Sequence, residues 1–179
     1  MELKRVVVTG LGAITPLGDS VEEYWDNLMK GTSGAGIITR FDTTNFKTKF
    51  ACEVKDFDPT KYIDRKEVRR LDLYAQFALA STDVALEDSG LDLEAIDLER
   101  FGVIWGSGIG GSETFLHEVI GYTENNKVPR FSPFFIPKMI ADIASGHISM
   151  RHGLQGPNFT TVSACASSSN AIIDAFNYI

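Results

Sequence analysis

A chain of 179 residues has the size of one domain, and 44% apolar with 23% charged residues is the composition of a folded globular protein. Disordered, collagen-like and disulfide-stapled classes are excluded on that composition. Seventeen lysines and arginines against 24 carboxylates leave a net charge of −7, without the cation surplus that nucleic acid or an anionic membrane draws on.

The first element expected is a strand at Val6–Val8, a β-branched run bounded by Lys4-Arg5 and Thr9-Gly10. A glycine-punctuated loop follows from Gly10 to Gly18. Ser20 and Glu23 then form a capping-box pattern ahead of Tyr24, Trp25, Leu28 and Met29, and Gly31 stops that helix. Residues 32 to 60 read as loop, with a short strand near Phe50–Val54. Val68, Leu71, Ala75, Ala78, Leu79 and Ala85 recur at helical spacing, so one long helix is expected from Arg65 to Asp88, closed by Gly90. Phe101–Trp105 is the next strand and runs straight into GSGIGG, Gly106–Gly111. A helix over Ser112–Tyr122, a loop over Asn125–Pro137 and a helix over Pro137–Arg151 come next. Phe159–Val162 is the last strand, and Cys165 stands at its junction with a helix running through Ile179. Strands alternating with helices predict an α/β fold with a mainly parallel sheet.

Cys52 and Cys165 lie more than a hundred residues apart with no CxxC spacing, which argues against a zinc site or a redox pair; no metal is expected. Two free thiols fit the reducing cytoplasm. No apolar run approaches the roughly 18 residues of a membrane span, and the first ten residues lack the apolar core of a signal peptide.

The most chemically loaded segment is TTVSACASSSNA, Thr160–Ala171. A strand ending in small residues and turning into a helix puts Cys165 at a helix N-terminus, where the dipole and unpaired N–H groups favour the nucleophilic thiolate. Ser163, Ala164, Ala166 and Ser167 leave the sulfur open, and the Cys165 amide is placed to stabilise an oxyanion. The local pattern leaves a second reading open, a cysteine packed in the core. GSGIGG formally satisfies a dinucleotide fingerprint, but the acidic residue at the right distance, Glu124, sits in a polar helix end rather than after a strand. Glycine turns for close packing are the simpler reading, with a nucleotide-dependent oxidoreductase as the alternative. Lys61–Arg70 runs against the global charge, with five cations and two anions. It reads as a solvated helix face or as a docking patch for an acidic partner. His117, His147 and His152 sit in no motif that pairs them with Cys165.

The segments RVVVTGLGAITPLG, GSGIGG, SPFFIPKMI and GLQGPNFTTVSACASS, in that order, resemble the β-ketoacyl-acyl carrier protein synthases, nearest the elongating synthase II type. The resemblance covers essentially the whole chain. It implies a thiolase-like fold, of which residues 1–179 form the N-terminal portion of the first repeat. It also implies an acyltransferase of type II fatty acid biosynthesis that needs no cofactor, acts as a homodimer and takes acyl and malonyl groups from acyl carrier protein. Carried over by motif, Cys165 is the nucleophile and an oxyanion donor, Ile109 gates the acyl pocket and Phe135 lines it. Lys66, Arg69 and Arg70 receive the acidic carrier, with Arg130 added. Ser163 and Ala166 depart from the family, which commonly has Thr two residues before the nucleophile and Ser or Thr after it. The two histidines and the lysine that complete such sites have no matching motif here, so the chain is expected to be the N-terminal part of a condensing enzyme, inactive alone. A polyketide ketosynthase and a non-catalytic dimerising fragment remain the alternatives.

Overall fold

The computed structural model describes residues 4–179. The expected strand at Val6–Val8 does not form: the run pairs with no strand among the described residues, and Val7 and Val8 stand exposed. β-branched residues favour a strand only where a neighbouring strand accepts their backbone hydrogen bonds. Helix α1, Val21–Met29, begins as the capping box predicts, with Ser20 Oγ accepting from Glu23 N at 3.1 Å. The reciprocal bond is shifted by one residue, since Glu23 Oε2 takes the N–H of Asp19. Two short strands, β1 (Ala35–Ile37) and β2 (Phe50–Cys52), pair antiparallel with Gly36 opposite Ala51.

The helix expected over Arg65–Asp88 is two helices, α2 (Arg65–Val68) and α3 (Leu73–Ser89). Asp72 causes the break, because its carboxylate caps α3 by accepting from Tyr74 N. Gln76 closes the other side by donating its side-chain amide to the carbonyls of Val68 and Leu71. Leu71, Ala75, Ala78 and Leu79 are buried, and the alanines let α3 lie close against the rest of the core. Gly90 ends α3 in the left-handed conformation, φ +62°.

Strand β3, Val103–Gly106, leads through the glycine loop into helix α4, Ser112–Glu124. The expected loop and third helix are again redivided, into α5 (Phe135–Met139) and α6 (Ile143–His152). Ile140 is extended between them, and its carbonyl accepts from the Tyr74 hydroxyl at 2.5 Å instead of continuing a helix. Burial, then the carboxylates of Asp72 and Asp142, push the Tyr74 phenol up, so it stays a protonated donor. Strand β4, Asn158–Thr161, pairs parallel with β3, Trp105 opposite Thr160, and helix α7, Ser167–Tyr178, follows. Ala144 and Ile148 of α6 complete the core between α3 and this parallel pair. No helix among the described residues is long and apolar enough to cross a membrane.

Candidate active site

Between β4 and α7 the chain makes one tight turn, Ala164–Ala166. Ala164 has φ +50°, a left-handed conformation that a residue with a Cβ adopts at a cost of about 1–2 kcal/mol. The turn lifts Cys165 out of the core as an exposed free thiol, so the reading of a packed core cysteine does not hold. No side chain caps α7, which leaves its first N–H groups without a side-chain acceptor.

Ser167 holds the turn in place. Its buried Oγ accepts from Ser163 N at 2.9 Å, and its one proton faces the carbonyls of Ala164 at 2.7 Å and Ser107 at 3.2 Å. Thr161 Oγ1 donates to the Ser167 carbonyl at 2.8 Å, and Asn170 Nδ2 donates to Ser163 Oγ at 2.6 Å. Together these bonds offset the strain at Ala164 and fix Ser163, one of the two positions that depart from the family pattern. Ser167 carries no signal in the sequence beyond being one of three successive serines.

The glycine loop threads between this turn and the end of α5. A Cβ on Gly106 would stand 2.7 Å from the Ser167 backbone, and one on Gly110 (φ +91°) would stand 2.7 Å from the Met139 carbonyl. Gly111 N donates to that same carbonyl at 2.9 Å, and Thr114 N, in the first turn of α4, is bound by the Asp72 carboxylate. The helix end where a dinucleotide would rest its phosphates already holds an anion, so GSGIGG serves close packing and the oxidoreductase reading loses its site. Ile109 stands in the middle of the loop, 77% exposed. Phe135 opens α5 and stacks on Phe131 and Phe115, with ring centroids at 5.6 and 6.3 Å.

Lys66 lies on α2, Arg69 and Arg70 lie on the link to α3, and all three are exposed. The Arg70 guanidinium sits over the ring of Phe134, 5.2 Å from its centroid, which joins the basic patch to the segment carrying Phe135. Arg130 is exposed beside a small cleft lined by His117, Glu118, Tyr122 and Phe131. Of the histidines, His152 is bound to Asp83 at 3.1 Å and His117 is exposed. His147 has a buried Nε2 without a hydrogen-bond partner. Among the described residues, no three His, Cys, Asp or Glu side chains converge as a metal site.

A family model described as "Beta-ketoacyl synthase, N-terminal domain" matches residues 3–179. The chain belongs to the β-ketoacyl synthase family. It is 46% identical over 179 residues to a 3-oxoacyl-[acyl-carrier-protein] synthase 2 of Synechocystis sp., covering all of this chain and 43% of that protein. A protein of the same name from Staphylococcus aureus (strain COL) is 44% identical over 177 residues, covering 98% of this chain and 42% of its own length. Among solved structures, a β-ketoacyl synthase from Burkholderia phymatum superposes with a TM-score of 0.81 at 27% identity, over 98% of this chain and 43% of that one. The ishigamide ketosynthase/chain length factor gives 0.81 at 32%, over 90% of this chain and 40% of that one. The fold is therefore thiolase-like, and the chain spans about two-fifths of the length of these synthases.

Proposed function

We propose that this chain is the nucleophile-bearing N-terminal part of a β-ketoacyl-acyl carrier protein synthase of type II fatty acid elongation. The observation that carries the reading is the exposed Cys165 thiol, held at the start of α7 on a strained turn that Ser167 locks. Cys165 Sγ attacks the carbonyl of an acyl-carrier thioester, a new carbon–sulfur bond forms, and the carrier thiol leaves with the proton that Cys165 gives up. The Cys165 backbone N–H donates to the oxyanion of that step, and the small side chains of Ala164 and Ala166 leave room for the carbonyl. Malonyl-carrier then loses carbon dioxide, and the freed electron pair attacks the Cys165 thioester to extend the chain by two carbons and release the thiolate. We assign the chain the acylation step, and residues outside it the decarboxylation, because His117 is exposed away from Cys165, His147 is half-buried in α6 and His152 is bound to Asp83.

In this reading Ile109 gates and Phe135 lines a dry acyl pocket, as an aliphatic substrate requires. Lys66, Arg69, Arg70 and Arg130 meet the acidic carrier protein, and no nucleic acid or membrane is a partner. The exposed Ile172 and Ile173 of α7 supply apolar surface for a homodimer, and the compartment is the cytoplasm. Fatty acid elongation is favoured over polyketide synthesis by the 46% identity to synthase 2 against 32% to the ishigamide ketosynthase. The test is intact-mass measurement of the full-length protein incubated with acyl-carrier protein. One acyl group on the wild type and none on Cys165→Ala is the expected result, and full acylation of Cys165→Ala overturns the reading.

A further inference from the structure

Asp72 makes more contacts than a helix cap requires. One carboxylate oxygen caps α3 through Tyr74 N at 3.3 Å. The other accepts both the N–H of Thr114, at 3.2 Å, and its hydroxyl, at 2.5 Å. Both residues are buried, so these charge-assisted bonds meet little competition from water. Thr114 is the third residue of α4, directly beyond the glycine loop, while Asp72 follows the exposed pair Arg69-Arg70 with only the buried Leu71 between.

The loop between them is pinned at both ends and free in the middle. At its first end Ser107 N donates to the Thr161 carbonyl at 3.1 Å and Ser107 O faces the hydroxyl of Ser167. At its second end Gly111 is bonded to Met139, and α4 is bonded to Asp72 through Thr114. Tyr74, two residues after Asp72, binds the Ile140 carbonyl and closes that anchor into a triangle of α3, α4 and the end of α5. Gly108 and Ile109 are the exposed span between the two anchors. Where Ile109 stands is therefore set by how far apart the anchors are held.

We propose that Asp72 is a positioning residue, which fixes the glycine loop through Thr114 and thereby sets how Ile109 selects acyl chains by length. The proposal rests on the reading of Ile109 as the gate of the acyl pocket. Neither Asp72 nor Thr114 touches substrate; both act through the loop. Asn at position 72 keeps an oxygen for the Tyr74 cap but replaces the second acceptor with an amide that cannot accept from Thr114. Thr114→Val removes the hydroxyl and leaves the cap untouched, whereas Thr114→Ser restores the donor.

The test measures, in the full-length protein, the rate of Cys165 acylation by butyryl- and by dodecanoyl-carrier protein, followed by intact mass. Thermal melting confirms that each variant is folded, and Thr114→Val carries the test should Asp72→Asn not fold. Asp72→Asn and Thr114→Val are each expected to shift the ratio of the two rates by about tenfold, the scale set by one lost charge-assisted hydrogen bond at the anchor. The double variant should shift it no further, and Thr114→Ser should keep the wild-type ratio. General loosening of the fold would slow both substrates together and leave the ratio alone. A ratio within about twofold of wild type in a folded Thr114→Val protein overturns the role of Asp72 while leaving Cys165 as the nucleophile. A wild-type protein that forms no acyl-Cys165 overturns both readings together.

Discussion

The hydroxyl of Ser167 lies 3.2 Å from the carbonyl of Ser107, and through it the turn bearing Cys165 is bonded to the loop bearing Ile109. The same oxygen accepts from Ser163 N and faces the Ala164 carbonyl, so one buried side chain at the start of α7 joins the turn to the glycine loop. Proposed nucleophile and proposed gate are thus parts of one hydrogen-bonded unit rather than two features of separate loops.

Ser167→Ala is therefore expected to cost about 1–3 kcal/mol, because it strips Ser163 N and two carbonyls of a buried partner while the strain at Ala164 remains. Urea denaturation measures the loss. Acylation of Cys165 should slow in parallel, since the turn that presents its backbone donor is no longer held. A stability change below about 0.5 kcal/mol, the scale of an ordinary surface substitution, would remove Ser167 from this role.

Two glycines of similar sequence setting should respond to alanine with opposite sign. A methyl on Gly106 meets the Ser167 and Ser168 backbone at 2.7 Å, and a helix start cannot move aside cheaply, so Gly106→Ala is expected to destabilise by about 1–3 kcal/mol. Gly121 is inside α4 with nothing within 4 Å of its Cβ position, and Gly121→Ala should stabilise by about 0.5–1 kcal/mol through helix propensity alone. Thermal unfolding of the two variants decides it. Equal effects from both would show that α7 yields to the added methyl.

What the sequence made legible was local. The Ser20–Glu23 cap, the left-handed stops at Gly31 and Gly90, and the strand–turn–helix around Cys165 all depend on neighbours a few residues away. The breaks it concealed depend on distant partners. Helix α3 starts at Leu73 because Asp72 finds both Tyr74 and Thr114, and α5 ends at Met139 because Tyr74 claims the Ile140 carbonyl. Periodicity across Val68, Leu71 and Ala75 is blind to both, since the apolar face stays in phase through the kink. Val6–Val8 shows the converse, a strand-like composition without a partner strand among the described residues. Of the candidate site, the strand–turn–helix geometry at Cys165 and its small neighbours was legible. The bonds by which Ser167 reaches Ser107 and Asp72 reaches Thr114 were not, because those partners lie 60 and 42 residues away along the chain.

The exposed cations of the α2–α3 region form a patch of opposite sign to the whole chain, which makes charge reversal informative. Lys66→Glu with Arg69→Glu is expected to weaken binding of an acidic carrier protein about tenfold at low salt, chiefly by slowing association. The difference from wild type should shrink as ionic strength rises, because screening shortens the reach of exposed charges. Titration calorimetry at two salt concentrations measures both effects. The control is Lys30→Glu with Lys47→Glu, which makes the same change in net charge elsewhere. An equal loss in the control would assign the effect to total charge and not to the patch.

His147 gives the fold a pH dependence whose sign can be worked out. Its Nε2 is buried without a partner, and burial holds its pKa below the ordinary 6.5, with the nearby Glu67 charge pulling weakly the other way. The unfolded chain accepts a proton at the ordinary value, and the folded chain does so only at lower pH. Between the two values the unfolded state binds more protons, so stability is full above 6.5 and falls as the pH drops through the window below it. The carboxylates of Asp42, Glu53 and Asp58 are held below their usual range by hydrogen bonds to Thr44, Thr39 and Thr60, and they titrate at more acidic pH. Unfolding free energy measured between about pH 7 and pH 5.5 therefore isolates the histidines. His147→Phe keeps an aromatic ring without a polar atom to desolvate or protonate, so it should lose less stability than the wild type between about pH 7 and pH 5.5. An unchanged slope in that variant would place the acid sensitivity on another group.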